Sequence, residues 1–205
     1  MTSLKIYLAS GNPHKARELQ KLATDTHLPL DIHSAAEVGG MPEVVEDTGT
    51  FVGNARKKAV ALQERLPKGT WTMSDDSGIC VDALDGGPGV ESAYFSGPAG
   101  DDDANLRKLV EVMKDVPSDR RGAHYVCVLV LRGAEDTEFV FEGKCHGSLV
   151  TEPTGTGGFG YDPLFIPSGY DCTFGVLPPE TKQALSHRAQ AWMLLAEWAR
   201  ESFGD

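Results

Sequence analysis

No stretch of this sequence approaches the ~18–20 apolar residues that a bilayer-spanning helix needs. The apolar run in the N-terminal MTSLKIYLASGN is also too short for a secretory signal, so a cytoplasmic location is the expectation. Positive charge is scarce: 19 Lys and Arg stand against 30 Asp and Glu, a net charge of −11. Nucleic-acid binding needs a basic face, so this balance argues against a DNA or RNA partner. It leaves room for a small anionic ligand if a local cationic cluster or a divalent metal offsets the carboxylates. Cysteine is scarce too, with four residues and no C-x-x-C pair. Cys80, Cys127, Cys145 and Cys172 read as reduced thiols in or near a core. Zinc has no ligand set, because Cys145 and His146 are neighbours on a predicted strand and point to opposite faces.

What is present fits one α/β domain over 1–205, long enough to bury a substantial core. LKIYLA predicts a first strand, and a helix follows over 13–23 with Asn12 as its N-cap and Pro13 at its first position. Ala16, Leu19, Leu22 and Ala23 form that helix's apolar stripe. A second helix is predicted over 51–66 and a third over 102–115. WTMS predicts a short strand ending at Asp75–Asp76, followed by a separate apolar run, GICVDAL. HYVCVLVLR is apolar on both faces, the mark of a central strand, and TEFVFEGKCHGSLV should pair with it. Residues 151–179 read as a long structured loop rich in glycine, proline and aromatics, and a last helix is predicted over 186–202.

Two formal motifs fail on context. GTGGFG matches G-x-G-x-x-G, but Tyr161-Asp162-Pro163 blocks the helix that a dinucleotide fingerprint must open. Asp101, Asp103 and Asn105 imitate a calcium loop, yet Leu106 stands where glycine is required and Val112 where glutamate is.

The charged residues are more informative. Asp75 and Asp76 are adjacent carboxylates, suited to a hard cation such as Mg²⁺. Glu43, Glu46 and Asp47 form a second acidic group ahead of the second helix. Lys15 lies in the first turn of one helix, against the macrodipole, and His187 and Arg188 follow Ser186 at the start of another. Each cation alone is an ordinary surface charge. Two cationic helix entrances together describe an anion site. These parts suggest a metal-dependent enzyme for a phosphorylated small molecule, with the aromatic loop near 157–165 holding a planar ring.

Five segments in order, SGNPHK, EDTGTFVGNA, SDDSG, GGFGYDP and SHR, resemble the non-canonical purine nucleoside triphosphate pyrophosphatases, also called inosine triphosphate pyrophosphatases. The resemblance runs almost end to end. It implies an α/β fold, a mixed central sheet with flanking helices and two lobes around a long substrate groove, as a homodimer. It also implies Mg²⁺-dependent hydrolysis of ITP, dITP or XTP to the monophosphate and pyrophosphate. Ser10, Gly11, Asn12, Pro13, His14 and Lys15 would then bind the triphosphate, with Lys58 as a further phosphate ligand. Asp76 would be the general base and a metal residue, with Asp75 beside it and Ser77 touching substrate. Glu46 and Asp47 are the further metal candidates, with Glu43 as the alternative. Phe159, Gly160, Tyr161 and Asp162 would hold the base, and Lys182, His187 and Arg188 complete that end.

Overall fold

The computed structural model describes residues 3–203, apart from the side chains of Pro13, His14 and Ala16. In chain order its main elements are β1 (Leu4–Leu8), α1 (Pro13–Thr26), β2 (Leu30–Ser34) and α2 (Phe51–Gln63), then β3 (Trp71–Val81) and α3 (Asp102–Met113). They continue as β4 (Gly122–Arg132), β5 (Glu138–Leu149), β6 (Phe165–Pro167), α4 (Pro179–Leu185) and α5 (His187–Phe203). Among the described residues the strands form one six-stranded sheet in the order β2-β1-β3-β4-β5-β6. β1 is parallel to both β2 and β3, whereas β5 and β6 are antiparallel, so the sheet is mixed as expected.

The chain divides into two compact units. One comprises the chain up to Asp76, Cys127–Gly143 and the chain from Arg188 onward; the other comprises Ser77–Val126 and Lys144–His187. Each has its own apolar core. In the first, Ile6, Leu8 and Met73 of the sheet pack with Leu19 and Leu22 of α1 and with Trp192, Leu195 and Ala196 of α5. In the second, Ile79, Val81, Tyr125 and Leu149 pack with Leu109 and Met113 of α3 and with Leu164, Phe165 and Phe174.

Several boundaries differ from the sequence reading. β3 does not stop at Asp75–Asp76 but runs on for 11 residues through both aspartates. Its polar residues are buried against partners, so a break in apolarity is not a turn here. The loop over 151–179 contains β6, whose Leu149↔Phe165 pairing extends β5. α2 ends at Gln63, and α4 precedes the last helix. The cysteines are free thiols; Cys80, Cys127 and Cys145 are buried and Cys172 is partly exposed. Burial pushes Cys127 up to about 12 and Cys145 up to about 11.

One buried cation ties down the second unit. Arg121 is almost fully buried and donates to the carbonyls of Met113 (2.5 Å), Val116 (2.9 Å) and Val150 (3.1 Å). The Met113 carbonyl belongs to the last turn of α3, where acceptors are left over and the dipole favours a cation. Arg121→Met should therefore lower unfolding stability by about 2–4 kcal/mol, since buried carbonyls lose charged donors. Urea denaturation at unchanged m-value is the check.

Candidate active site

The first group of functional side chains follows from the period of two in β3, which sends successive residues to opposite faces. Thr72 and Ser74 donate their hydroxyls to the α2 carbonyls of Ala59 (3.1 Å) and Ala55 (2.5 Å), so this face of β3 looks at α2. Asp76 is on the same face and receives the Lys58 ammonium of α2 at 2.8 Å. Met73 points the other way, into the core with α1 and α5. Asp75 shares that face, and there it meets Lys15 of α1 at 3.1 Å and Arg188 of α5 at 3.2 Å.

The two carboxyl groups therefore live in opposite electrostatic settings. Burial alone would raise the Asp75 carboxyl, but the Lys15 and Arg188 cations overcome it and hold the group well below the usual carboxylate range. At Asp76 burial prevails over the attraction of Lys58 and pushes the carboxyl up to about 6. Burial likewise opposes the charge on Lys58, yet Asp76, Asp75 and Glu46 more than compensate and raise its pKa. Arg188 is held charged by Asp75 and by Glu18 of α1, which accepts from its other terminal nitrogen.

The EDTGTFVGNA segment explains how Glu46 reaches this group. Thr50 N-caps α2 by accepting the Gly53 N–H at 3.1 Å. The Asn54 amide oxygen, buried in α2, accepts from the Thr48 hydroxyl at 2.7 Å and the Thr48 N–H at 3.2 Å. A Cβ on Gly53 would stand 2.3 Å from the Thr48 oxygen, so only glycine lets this loop fold back on the helix. Glu46 then meets Lys58 at 2.8 Å, the same ammonium that Asp76 holds. Asp47 instead pairs with Lys57 on the surface, and Glu43 is exposed. Among the described residues no group of three or more His, Cys, Asp and Glu side chains forms a metal cage. One oxygen of Asp76 and one of Asp75 are nevertheless buried without a hydrogen-bond partner.

At the α1 entrance Asn12 caps the helix as expected, its side-chain oxygen accepting the Lys15 N–H at 3.3 Å, and the Ser10 hydroxyl accepts the Asn12 N–H at 3.2 Å. Gly11 is exposed beside them. The expectations for the Pro13 and His14 side chains fall outside the described residues.

The second group belongs to the other unit and centres on Asp162, which is buried. Its carboxylate accepts from Lys182 of α4 at 2.6 Å and from the Phe159 N–H at 2.8 Å. The Lys182 ammonium lies 4.4 Å from the centre of the Phe159 ring, a cation–π contact. Gly158 has φ +74°, and a Cβ there would come within 2.0 Å of the Asp162 carboxylate. The GGFGYDP loop is thus closed by its own aspartate. Tyr161 turns inward and donates its hydroxyl to the Ser92 carbonyl at 2.7 Å, while Gly160 takes φ +60°. Ser77 continues β3 after Asp76, and His187 opens α5. Sequence reasoning missed Glu18, the second partner of Arg188. Glu18 lies one helical turn beyond Lys15, and that spacing was the one available signal.

A sequence model of the Ham1 family matches residues 6–198. A dITP/XTP pyrophosphatase of Opitutus terrae is 56% identical over 203 residues, covering 97% of this chain and 100% of that protein. The dITP/XTP pyrophosphatase of Escherichia coli strain K12 is 46% identical over 201 residues, covering 96% of this chain and 98% of that protein. Among solved structures, a HAM1 protein from Coxiella burnetii superposes with a TM-score of 0.86 at 34% identity, covering 97% of this chain and 99% of that one. A match that spans nearly the whole chain in sequence and in fold has one meaning: this chain belongs to the Ham1 family.

Proposed function

We propose that this protein hydrolyses the non-canonical purine nucleoside triphosphates ITP, dITP and XTP to the monophosphate and pyrophosphate, using Mg²⁺. The observation that carries the proposal is the pair of buried aspartates in β3, one ionised by Lys15 and Arg188, the other raised to about 6 beside Lys58. A carboxylate set beside phosphate-binding cations can orient a water and take its proton, the general-base role proposed for Asp76. Lys15, in the first turn of α1, and Lys58 supply cations for phosphate oxygens, and the positive end of the α1 dipole adds to their attraction.

The donor chemistry fits Mg²⁺. This ion takes oxygen ligands from one or two carboxylates and from substrate phosphates rather than from an all-protein cage. Asp76, with its partnerless buried oxygen, and Glu46, which shares Lys58 with it, are the residues that would hold the ion. Asp75 is taken up by Lys15 and Arg188, and Asp47 by Lys57, which leaves the first pair as the better donors. When bound, Mg²⁺ neutralises phosphate charge and polarises the phosphorus centre.

In the second unit the Phe159 loop and His187 are the residues proposed for the base. Imidazole and other hydrogen-bond donors suit a 6-oxo group, and a 6-amino purine would leave them unpaired. By the family resemblance the protein is proposed to act as a cytoplasmic homodimer.

Incubation with ITP, dITP, XTP, GTP and ATP, with and without Mg²⁺, should yield monophosphate and pyrophosphate from the first three, only with the metal. Release of orthophosphate, or binding without turnover, would reject the proposal. Asp76→Asn should lower kcat by at least about 10³-fold, within the range expected for loss of a general base that also holds a metal. Its circular dichroism should match wild type.

The raised Asp76 carboxyl also predicts a pH signature. Its value of about 6 in the folded state lies above the ordinary 3.8. Its contribution to stability is therefore complete below about pH 4 and lost as pH rises through 6. Metal-free wild type should fall behind Asp76→Asn by about 3 kcal/mol across that window, with a level gap above it. Denaturant midpoints measured between pH 4 and 8 would read this, and a constant gap would remove the raised carboxyl.

A further inference from the structure

Tyr125 is outside the residues that the family resemblance implies, yet it touches two of them. It sits in β4 with its side chain buried. One face of its ring stacks on the His187 imidazole, with centroids 4.7 Å apart and planes 10° from parallel. Its edge contact with Phe165 has a centroid distance of 4.8 Å at 63°, and Phe165 in turn stacks on Phe174 at 5.5 Å. The hydroxyl lies 3.4 Å from an Asp162 carboxylate oxygen.

We propose that Tyr125 is a positioning residue for the base-binding end, its ring fixing the plane of the His187 imidazole. The proposal rests on the base-binding role given to His187 above. The terminal torsion of a histidine is broad, so backbone placement at the start of α5 does not by itself set the ring plane. A flat, immobile aromatic surface at stacking distance does set it. Phe165 and Phe174, both buried, keep that surface still. Stacking also covers the face of the imidazole and leaves its nitrogens in the ring edge, so orientation is gained without consuming a donor.

The ring carries this effect more than the hydroxyl does. An O–H···O contact of 3.4 Å is long against the usual 2.7–2.8 Å, so the tie to Asp162 is weak. Burial keeps the phenol neutral, and it therefore adds no charge beside His187. A donor held in plane before substrate arrives spares the ordering that binding would otherwise impose.

The test combines steady-state kinetics on ITP with NMR of the histidine rings. Tyr125→Leu should raise KM about tenfold with kcat within about threefold, the pattern for loss of preorganised binding. Tyr125→Phe should stay within about twofold of wild type in both constants, because the stack survives. The double variant Tyr125→Leu/His187→Ala should be no worse than His187→Ala alone, as expected if one residue acts through the other. A wild-type KM in Tyr125→Leu, a Tyr125→Phe as damaged as Tyr125→Leu, or additive losses would overturn the proposal. If Tyr125→Leu does not fold, Tyr125→Met carries the same expectations, since its flexible side chain refills the volume without a flat face.

The NMR arm needs no turnover. The His187 ring protons should resonate upfield in wild type and move downfield in Tyr125→Leu; unmoved resonances would overturn the proposal. Wild type that fails to hydrolyse ITP but shows this displacement would reject the proposed substrate while sustaining the stack.

Discussion

The alternation of β3 is the constraint on which the chemistry of the first unit depends. Two adjacent aspartates in a loop would share one environment and repel each other. In a strand buried on both faces they are separated by the backbone, and each meets its own cations. Asp75 faces α1 and α5, so Lys15 and Arg188 are drawn to one ionised carboxylate. Asp76 faces α2, where a single lysine shared with Glu46 leaves it only partly compensated. The inequality between the two carboxyl groups is a product of sheet geometry, and the proposed division of labour follows from it. Such an arrangement is costly to disturb. Removing one partner of a buried ion pair strands the other charge and costs about 3–5 kcal/mol, so Arg188 holds structure together whatever else it does.

The second unit uses the same device in a loop. Asp162 is a buried carboxylate paired with Lys182, and it also accepts a backbone N–H from the turn it closes. The lysine then lies over Phe159, so one charge pair fixes the aromatic ring of the loop. Glycine at 158 is required because the carboxylate occupies the space where a side chain would begin. In each unit, then, the residues that look like ligand contacts in the sequence are also internal fasteners. Their partners inside the protein are as specific as any substrate.

Much of this was legible in the chain and some was not, for identifiable reasons. α1, α2 and α3 are readable because apolar stripes and caps are local; Asn12 and Asp101 cap their helices from the position that sequence rules give. β4 is readable from its continuous apolar run. β2 is hidden because LDIHS is a half-exposed edge strand carrying an aspartate and a histidine. β6 has three residues and no pattern of its own. The rule that placed Cys145 and His146 on opposite faces of β5 is confirmed, with Cys145 buried and His146 exposed. The same rule governs Asp75 and Asp76. It was not legible there because polar residues in the middle of β3 resemble a strand end. Their partners lie far off in sequence, Arg188 being 113 residues from Asp75, and no spacing rule reaches that distance. Tyr125 is hidden for the opposite reason, since in HYVCVLVLR it reads as one more core residue.

The thiols have a consequence of a different kind. Oxidants attack the thiolate, and exposure decides which thiolate they reach. Burial raises the pKa of Cys80, Cys127 and Cys145, keeping all three as inert thiols at neutral pH. Cys172, the partly exposed one, is where peroxide or an alkylating reagent arrives first. The three buried sulfurs are shielded by the same packing that holds the sheet.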